Sequence, residues 1–317
     1  MCTALSILAD NHYFGRNLDL PYHYEESVTI TPRNYHITLR HRPAIHTHYA
    51  IIGIATVVNG FPLYYDGVNE YGVCMAALNF PGNAVYKQVS EQDSAVASFE
   101  LIPWVLAQHK TATEAVAALG KIKISNIAFS KEYPPTPLHW ILADNIAAYT
   151  IEPTQEGLKI YKNHIRVLTN NPPFPWHEDH LRQYIRLTAQ EPNNKHITDS
   201  NGTGMVGLPG DLTSAARFVR AAIIKEYAHW NDANDYNIIQ FFHILQSVQQ
   251  IEGCIRHDNM MDKTVYSTCC NATRGVYYYT TYENSHISAV SLRSENLNSQ
   301  KLISYPLDRI PSIRSVN

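Results

Sequence analysis

Over the first ninety residues, apolar and β-branched positions come in short runs broken by turn residues, which is the period of strands rather than helices. Runs at 3–8, 13–17, 26–31 and 49–58 are separated by turns such as Asp10-Asn11 and Asn59-Gly60. Two more, 62–66 and 72–78, flank the turn-rich stretch 67–72, so the pattern predicts a meander that begins at the N-terminus. The period then changes. Phe99, Leu101, Ile102, Val105 and Leu106 recur at helical spacing within 97–109, and Thr111-x-x-Glu114 is a capping box that opens a second helix ending at Gly120. The order repeats: strands at 138–143, 147–152, 158–162 and 166–169, helices at 176–189, 213–228 and 236–251, then strands at 275–282 and 287–292. Two blocks of strands, each followed by helices, predict an α+β fold, a four-layer αββα sandwich of two packed antiparallel sheets flanked by helices. The 317 residues could bury one large core or two modest ones; with no linker or internal repeat, a single domain over 1–317 is expected.

Charge narrows the partners. Twenty-five Lys and Arg stand against 28 Asp and Glu, which gives neither a nucleic-acid footprint nor an acidic tail, so a small, near-neutral substrate fits best. The early apolar run at 4–9 is too short for a signal core or a membrane span, and a cytoplasmic chain without a membrane partner is expected. Five cysteines (Cys2, Cys74, Cys254, Cys269 and Cys270) form no CxxC pair and do not read as a disulfide framework; Cys269 and Cys270 fit reduced core or strand positions. His46 and His48 would share one strand face, but no third ligand follows at metal spacing, so exposed strand positions are expected and no metal. The glycine-rich stretch 201–210 lacks the GK[ST] ending of a phosphate loop and reads as a loop at a pocket.

Candidate chemistry sits at the N-terminus. A small residue after the initiator allows removal of Met1, and Cys2 would then carry a free α-amine. An α-amino pKa of roughly 7.7–8.0 leaves part of it unprotonated near neutrality, so one residue supplies both nucleophile and base. Alone, Cys2 reads more simply as the second residue of any chain. The next strand changes the weighting, because Gly15-Arg16-Asn17-Leu18-Asp19 sets a cation and a carboxylate one hairpin away. Arg16 and Asp19 are three apart and point to opposite faces of a regular strand, so they converge only if the strand bends near Leu18, ahead of Pro21. In that case Arg16 favours the thiolate and Asp19 holds the amine; a solvated pair at a strand end is the plainer alternative.

With Cys2, Phe14-Gly15-Arg16-Asn17-Leu18-Asp19 and Val28-Thr-Ile-Thr-Pro-Arg-Asn34 together, the chain resembles the choloylglycine hydrolase family, the bile salt hydrolases and penicillin V acylases among the N-terminal-nucleophile hydrolases. The resemblance continues through Asn69-Glu70-x-Gly72, GVCMAALNFPGN at 72–83, Leu138-His-Trp140, Val167-Leu-Thr-Asn-Asn-Pro172, Gly207-Leu-Pro-Gly-Asp211 and Ala216-Arg-Phe218. It implies Cys2 as nucleophile, Arg16 and Asp19 as its partners, Asn79 and Asn170 at oxyanion and amine positions, and Arg217 as a further polar residue of the pocket. Apart from that resemblance, Asn79 and Asn170 read as turn residues near prolines. The resemblance also implies an acyl-group pocket of Leu18, Tyr24, Val58, Tyr65, Phe129 and Tyr133, with the tyrosines narrowing it.

The activity so implied is hydrolysis of a linear amide through a Cys2 thioester, without metal or cofactor, most readily deconjugation of bile salts. Asn rather than Tyr at position 79 leans that way; penicillin V or an N-acyl homoserine lactone is the alternative substrate, and a homotetramer is the family's common assembly. From another class, a thiol-regulated ligand-binding protein would need a resolving cysteine near a low-pKa thiol, which no motif supplies.

Overall fold

The computed structural model describes residues 1–90, 93–191, 202 and 204–317, so Asn201 and Thr203 of the glycine-rich stretch lie outside the described residues. Its first strands follow the alternation: β1 (Cys2–Leu8), β2 (His12–Leu20), β3 (Ser27–Thr31), β4 (Ile51–Val58), β5 (Phe61–Tyr64), β6 (Asp66–Asn69) and β7 (Cys74–Asn79). Next come β8 (Ala95–Ala97), helices α1 (Leu101–Gln108) and α2 (Ala112–Leu119), and β9 (Lys123–Ser125). The middle holds β10 (Leu138–Ala143), β11 (Ala148–Thr154), β12 (Gly157–Lys162), β13 (Val167–Leu168) and α3 (Phe174–Leu181). The last part holds α4 (Ser214–Tyr227), α5 (Asn234–Gln246), β14 (Ile255–His257), β15 (Met260–Asn271), β16 (Val276–Thr281), β17 (Ser288–Ser291) and β18 (Ile303–Pro306).

The larger strands form two antiparallel sheets. One runs β13-β1-β2-β15-β16-β17, with β14 on β15; the other runs β12-β11-β10-β7-β6-β4-β3-β18, with β5 on β4. Helices α4 and α5 pack on the first sheet against β1, β2 and β15, whereas α1 and α2 pack on the second against β6, β7 and β11. This is the expected αββα order. Alternation along β4 shows how one strand serves two layers: Ile52 and Ile54 join a core that reaches through Leu5 and Leu18 to Phe241 and Leu245, while Ile51 packs with Met75, Leu101 and Val105.

Three local findings depart from expectation. The 12-residue β15, at the centre of the first sheet, is not signalled by the sequence pattern. Residues 97–109 divide into a strand end, a 3-10 turn and α1, because Ala95–Ala97 pairs in parallel with Lys123–Ser125. His48 lies outside the strands and is buried, its ring nitrogens 2.7 Å from Tyr49 O and 2.9 Å from Tyr35 O, so it is a structural histidine rather than an exposed strand position. Cys269 and Cys270 are free and buried, as expected. Among the described residues no three His, Cys, Asp or Glu side chains are grouped to hold a metal, and no helix is long and apolar enough to cross a membrane.

Two buried histidines give the fold an acid limit. Burial, with Arg166 nearby, pushes His12 from 6.5 down to about 4, and burial outweighs the hydrogen bond with Asn170 O, which opposes it, to leave His177 at about 4 as well. A histidine depressed in the folded state binds its proton first in the unfolded chain, so its contribution is complete above about pH 6.5 and is lost as pH falls toward about 4. Urea midpoints are expected to drop across that window, and His12→Gln should flatten the drop. A midpoint that is level down to about pH 4 in the unsubstituted protein would exclude this source of acid sensitivity.

Candidate active site

Between the sheets opens a cavity of about 350 Å³, walled by Cys2, Arg16 and Leu18 from one sheet and by Tyr65, Ala77 and Asn79 from the other. Strand period explains the first wall. Arg16, Leu18 and Leu20 alternate along β2 and face inward, and Cys2 pairs with Leu18 across the β1–β2 ladder, which brings its side chain to the same wall. Gly15 makes the approach possible: a Cβ there would lie 1.9 Å from Thr268 O, so only glycine lets β2 lie this close to β15.

The expected bend of β2 does not occur. The strand continues to Leu20, and Asp19 faces away from the cavity, accepting from Thr264 Oγ1 at 2.6 Å. What bends is its neighbour: the β2–β15 register shifts between Thr264 and Tyr266, with Asp19 opposite Thr264 and Leu18 opposite Tyr266. The extra residue of this bulge sends Thr264 toward Asp19 and Tyr266 into the space between the sheets, although two residues apart on a regular strand share a face. Asp19 therefore reaches the N-terminus from behind the sheet, while Arg16 reaches the thiol from the cavity.

Behind Cys2 the polar residues converge. Cys2 N donates to Asn170 Oδ1 at 2.8 Å, and Asn170 Nδ2 donates to Asn79 O at 2.7 Å. Arg217, fully buried, donates from Nη1 to Cys2 O at 2.5 Å and Thr3 Oγ1 at 2.6 Å, and from Nη2 to Asn170 Oδ1 at 2.9 Å. The loop that carries Asn170 is itself tied down, since Asn170 N donates to Ser214 Oγ at 2.8 Å and His177 Nε2 lies 2.9 Å from Asn170 O. With Met1 attached, its amine donates to Asp19 O at 2.6 Å and sits 3.6 Å from Asp262 Oδ2, so the base in this state is not on Cys2.

The electrostatics leave groups unsatisfied where a substrate would lie. Arg16 is fully buried; its Nη1 donates to Tyr65 O at 3.0 Å and Ala77 O at 2.5 Å, and its Nη2 has no partner among the described residues. Although burial opposes it, the Cys2 thiol, Tyr266, Asp66 and Asp19 around it hold Arg16 above the usual guanidinium range. Burial pushes the Asp19 carboxyl up, against the pull of the N-terminal amine and Arg217, and its Oδ2 is unpartnered among the described residues. Asn79 Oδ1, at the cavity wall, is buried without a partner among the described residues. Such a site offers a thiol, an uncommitted cation and a side-chain amide around one apolar space, a set suited to acyl transfer.

Of the residues expected to form the acyl pocket, Leu18, Tyr24, Tyr65, Phe129 and Tyr133 line the cavity. Val58 does not. It pairs with Phe61 beside the tight Asn59-Gly60 turn at the far end of β4, which takes it away from the cavity wall. The pattern missed Leu63, Phe99, Leu138 and Trp140, because an apolar strand or helix residue reads the same whether it faces a core or a cavity. The described part of the glycine-rich stretch does not line the cavity; Pro209 O instead accepts from Arg220 Nη1 at 3.3 Å.

Comparison with known proteins gives a consistent picture. Residues 2–305 match a family model described as linear amide C–N hydrolases, choloylglycine hydrolase family. A bile salt hydrolase/transferase from Lactiplantibacillus plantarum is 45% identical with 100% of both chains covered. One of the same name from Clostridium perfringens is 36% identical, again over 100% of both. A crystal structure of a mutant conjugated bile acid hydrolase from Clostridium perfringens superposes with a TM-score of 0.91 at 34% identity, covering 100% of each chain. A penicillin V acylase from Agrobacterium tumefaciens shares the fold, with a TM-score of 0.78 at 18% identity over 96% of this chain and 90% of that one.

Proposed function

The chain belongs to the choloylglycine hydrolase family of linear amide C–N hydrolases, and we propose that it hydrolyses glycine- and taurine-conjugated bile salts through Cys2. The observation that carries this reading is the Cys2 thiol and the unpaired Arg16 Nη2 meeting in the wall of a mostly apolar cavity of about 350 Å³, within the roughly 300–1,000 Å³ of small-molecule sites. Full-length relatives named for bile salts support the choice of substrate.

In this mechanism, removal of Met1 frees the Cys2 amine, which stays against Asn170 Oδ1. The amine takes the thiol proton, and Arg16 favours the thiolate. Sulfur attacks the amide carbonyl; a C–S bond forms, and the negative charge on oxygen is met by the Asn79 amide and a backbone N–H. Collapse breaks the C–N bond as the ammonium returns its proton to the leaving nitrogen. Water, deprotonated by the same amine, then cleaves the thioester and restores the thiol. Arg217 touches the Cys2 carbonyl rather than the reacting atoms and acts by holding the nucleophile in place. The same reading takes residues 1–317 as one domain, acting in the cytoplasm as a homotetramer.

Penicillin V is the second substrate to test, because Tyr24, Phe129 and Tyr133 would stack on an aryl acyl group. Glycocholate, taurocholate and penicillin V are to be incubated separately with the processed enzyme and the released amine measured. Turnover of the two bile salts at least tenfold above penicillin V is expected. Preference for penicillin V, or no amine from either bile salt, would overturn the substrate assignment.

A further inference from the structure

We propose that Asp66 is the buried counter-ion that shares the Arg16 guanidinium with the Cys2 thiol, so that the protonation state of this carboxyl sets how far Arg16 favours the thiolate. Asp66 is 1% exposed, on β6 of the sheet opposite Cys2. Its carboxylate accepts from two tyrosines that cross from the other sheet: Tyr277 Oη of β16 at Oδ1, and Tyr266 Oη of β15 at Oδ2 at 3.4 Å. The β15 bulge that turns Thr264 toward Asp19 is what leaves Tyr266 pointing inward at Asp66, so one irregularity serves both carboxylates.

Arg16 is the cation they share. Its Nη1 is held by Tyr65 O and Ala77 O, which face each other one rung before the Asp66–Ala76 pair of β6 and β7, so the guanidinium is fixed at the peptide group that leads into Asp66. Of the groups that hold Arg16 in its charged form, Cys2, Tyr266, Asp66 and Asp19, the carboxylates Asp66 and Asp19 are the ones that carry their charge with the thiol and the tyrosine still protonated. The remaining titratable groups near Asp66 are Cys74 on β7 and Cys270 on β15, whose thiols burial pushes up, and the two tyrosines, which also lie well above the usual range. None of these ionises near neutrality, which leaves two carboxyls that act on Arg16, Asp66 between the sheets and Asp19 behind them, both pushed up by burial.

Burial outweighs Arg16 and the tyrosine hydroxyls and pushes Asp66 up to about 6. Below that pH the carboxyl is neutral and the whole Arg16 charge acts on the thiol. Above it the Asp66 anion offsets Arg16, which then favours the thiolate less. Asp66 touches no substrate in this scheme; it is a positioning residue that acts through Arg16.

The inference rests on Cys2 as the nucleophile, so its test reads the thiol itself as well as turnover. Processed enzyme, Asp66→Asn and Tyr277→Phe are to be alkylated with iodoacetamide between about pH 5 and 8, the Cys2 adduct being located by peptide mass. Asp66→Asn should alkylate at Cys2 about tenfold faster near neutrality, since one unit of thiol pKa is tenfold in thiolate. Tyr277→Phe removes a hydrogen bond that favours the Asp66 anion, so its fast regime should extend to higher pH. Profiles in both variants that coincide with the unsubstituted enzyme would overturn the proposal. If Asp66→Asn does not fold, Tyr277→Phe decides. Alkylation profiles that shift as expected in an enzyme without amidase turnover would instead reject the amidase reading and leave the Asp66 coupling standing.

Discussion

Replacing Cys2 with alanine is expected to lower amide cleavage by about 10⁴-fold or more while leaving the fold in place, because the substitution removes the sulfur that carries the acyl group in the proposed mechanism. Cys2 is 3% exposed and free of disulfide bonding, so the change deletes one sulfur from a packed wall. That should cost about 1 kcal/mol of stability, small beside the catalytic loss. Activity and the urea midpoint of Cys2→Ala, measured together, separate the two effects; turnover within tenfold of the unsubstituted enzyme would end the nucleophile assignment. Processing supplies a companion measurement. While Met1 is attached, the amine lies against Asp19 O and Asp262, and Cys2 N is a peptide nitrogen bonded to Asn170. Enzyme that retains Met1 should therefore still alkylate at Cys2 yet fail to cleave amides. Intact mass of the active form should show the loss of one methionine.

How much of this was legible in the sequence depends on which physical signal each residue carries. α4 was expected at 213–228 and runs Ser214–Tyr227, because Thr213 announces its start and does cap it, accepting from Ala216 N at 3.2 Å. β15 was missed for the opposite reason. Central in its sheet and buried on both faces, it carries Asp262, Thr264, Ser267, Thr268 and Asn271 inward, so neither an apolar run nor an alternation marks it. Two of those polar residues tie β15 to β2: Thr264 donates to Asp19 Oδ1 at 2.6 Å and Ser267 to Asn17 Oδ1 at 2.7 Å. The helix expected at 176–189 stops at Leu181 and tightens to a 3-10 turn at Arg182–Tyr184, in a stretch too polar for packing to sustain it. For the site itself, the hairpin of Cys2, Arg16 and Asp19 was readable as local sequence. Asn79, Asn170 and Arg217 come from three distant segments, and family resemblance alone linked them before their hydrogen bonds did. Arg16 and Asp19 keep the opposite faces that a regular strand gives residues three apart, since the bend that would bring them together is absent from β2 and the irregularity lies in β15, which the sequence of β2 does not show.

Arg217→Met should cost about 3–5 kcal/mol of stability, the range for removing one partner from a buried charge network. The guanidinium reaches from α4 to β1 and the Asn170 loop, donating to Cys2 O, Thr3 Oγ1 and Asn170 Oδ1, and from Nε to Leu212 O at 3.1 Å. Methionine keeps much of the length but none of the donors, so these acceptors lose their bonds in a buried region, each at about 1–3 kcal/mol before relaxation. Asp19 also loses a cation that pulls its carboxyl down, and with Oδ2 already unpartnered it can relax only by taking up a proton. Arg217→Lys separates charge from geometry. An ammonium restores the field at Asp19 but cannot bridge acceptors on three segments, so it should recover part of the stability and little of the turnover. Urea unfolding of the three proteins, with turnover measured on each, tests this ordering. A methionine variant as stable as the unsubstituted enzyme would show that β1 and the Asn170 loop hold their places without Arg217. A lysine variant with full turnover would show that charge alone is what Arg217 supplies to Cys2.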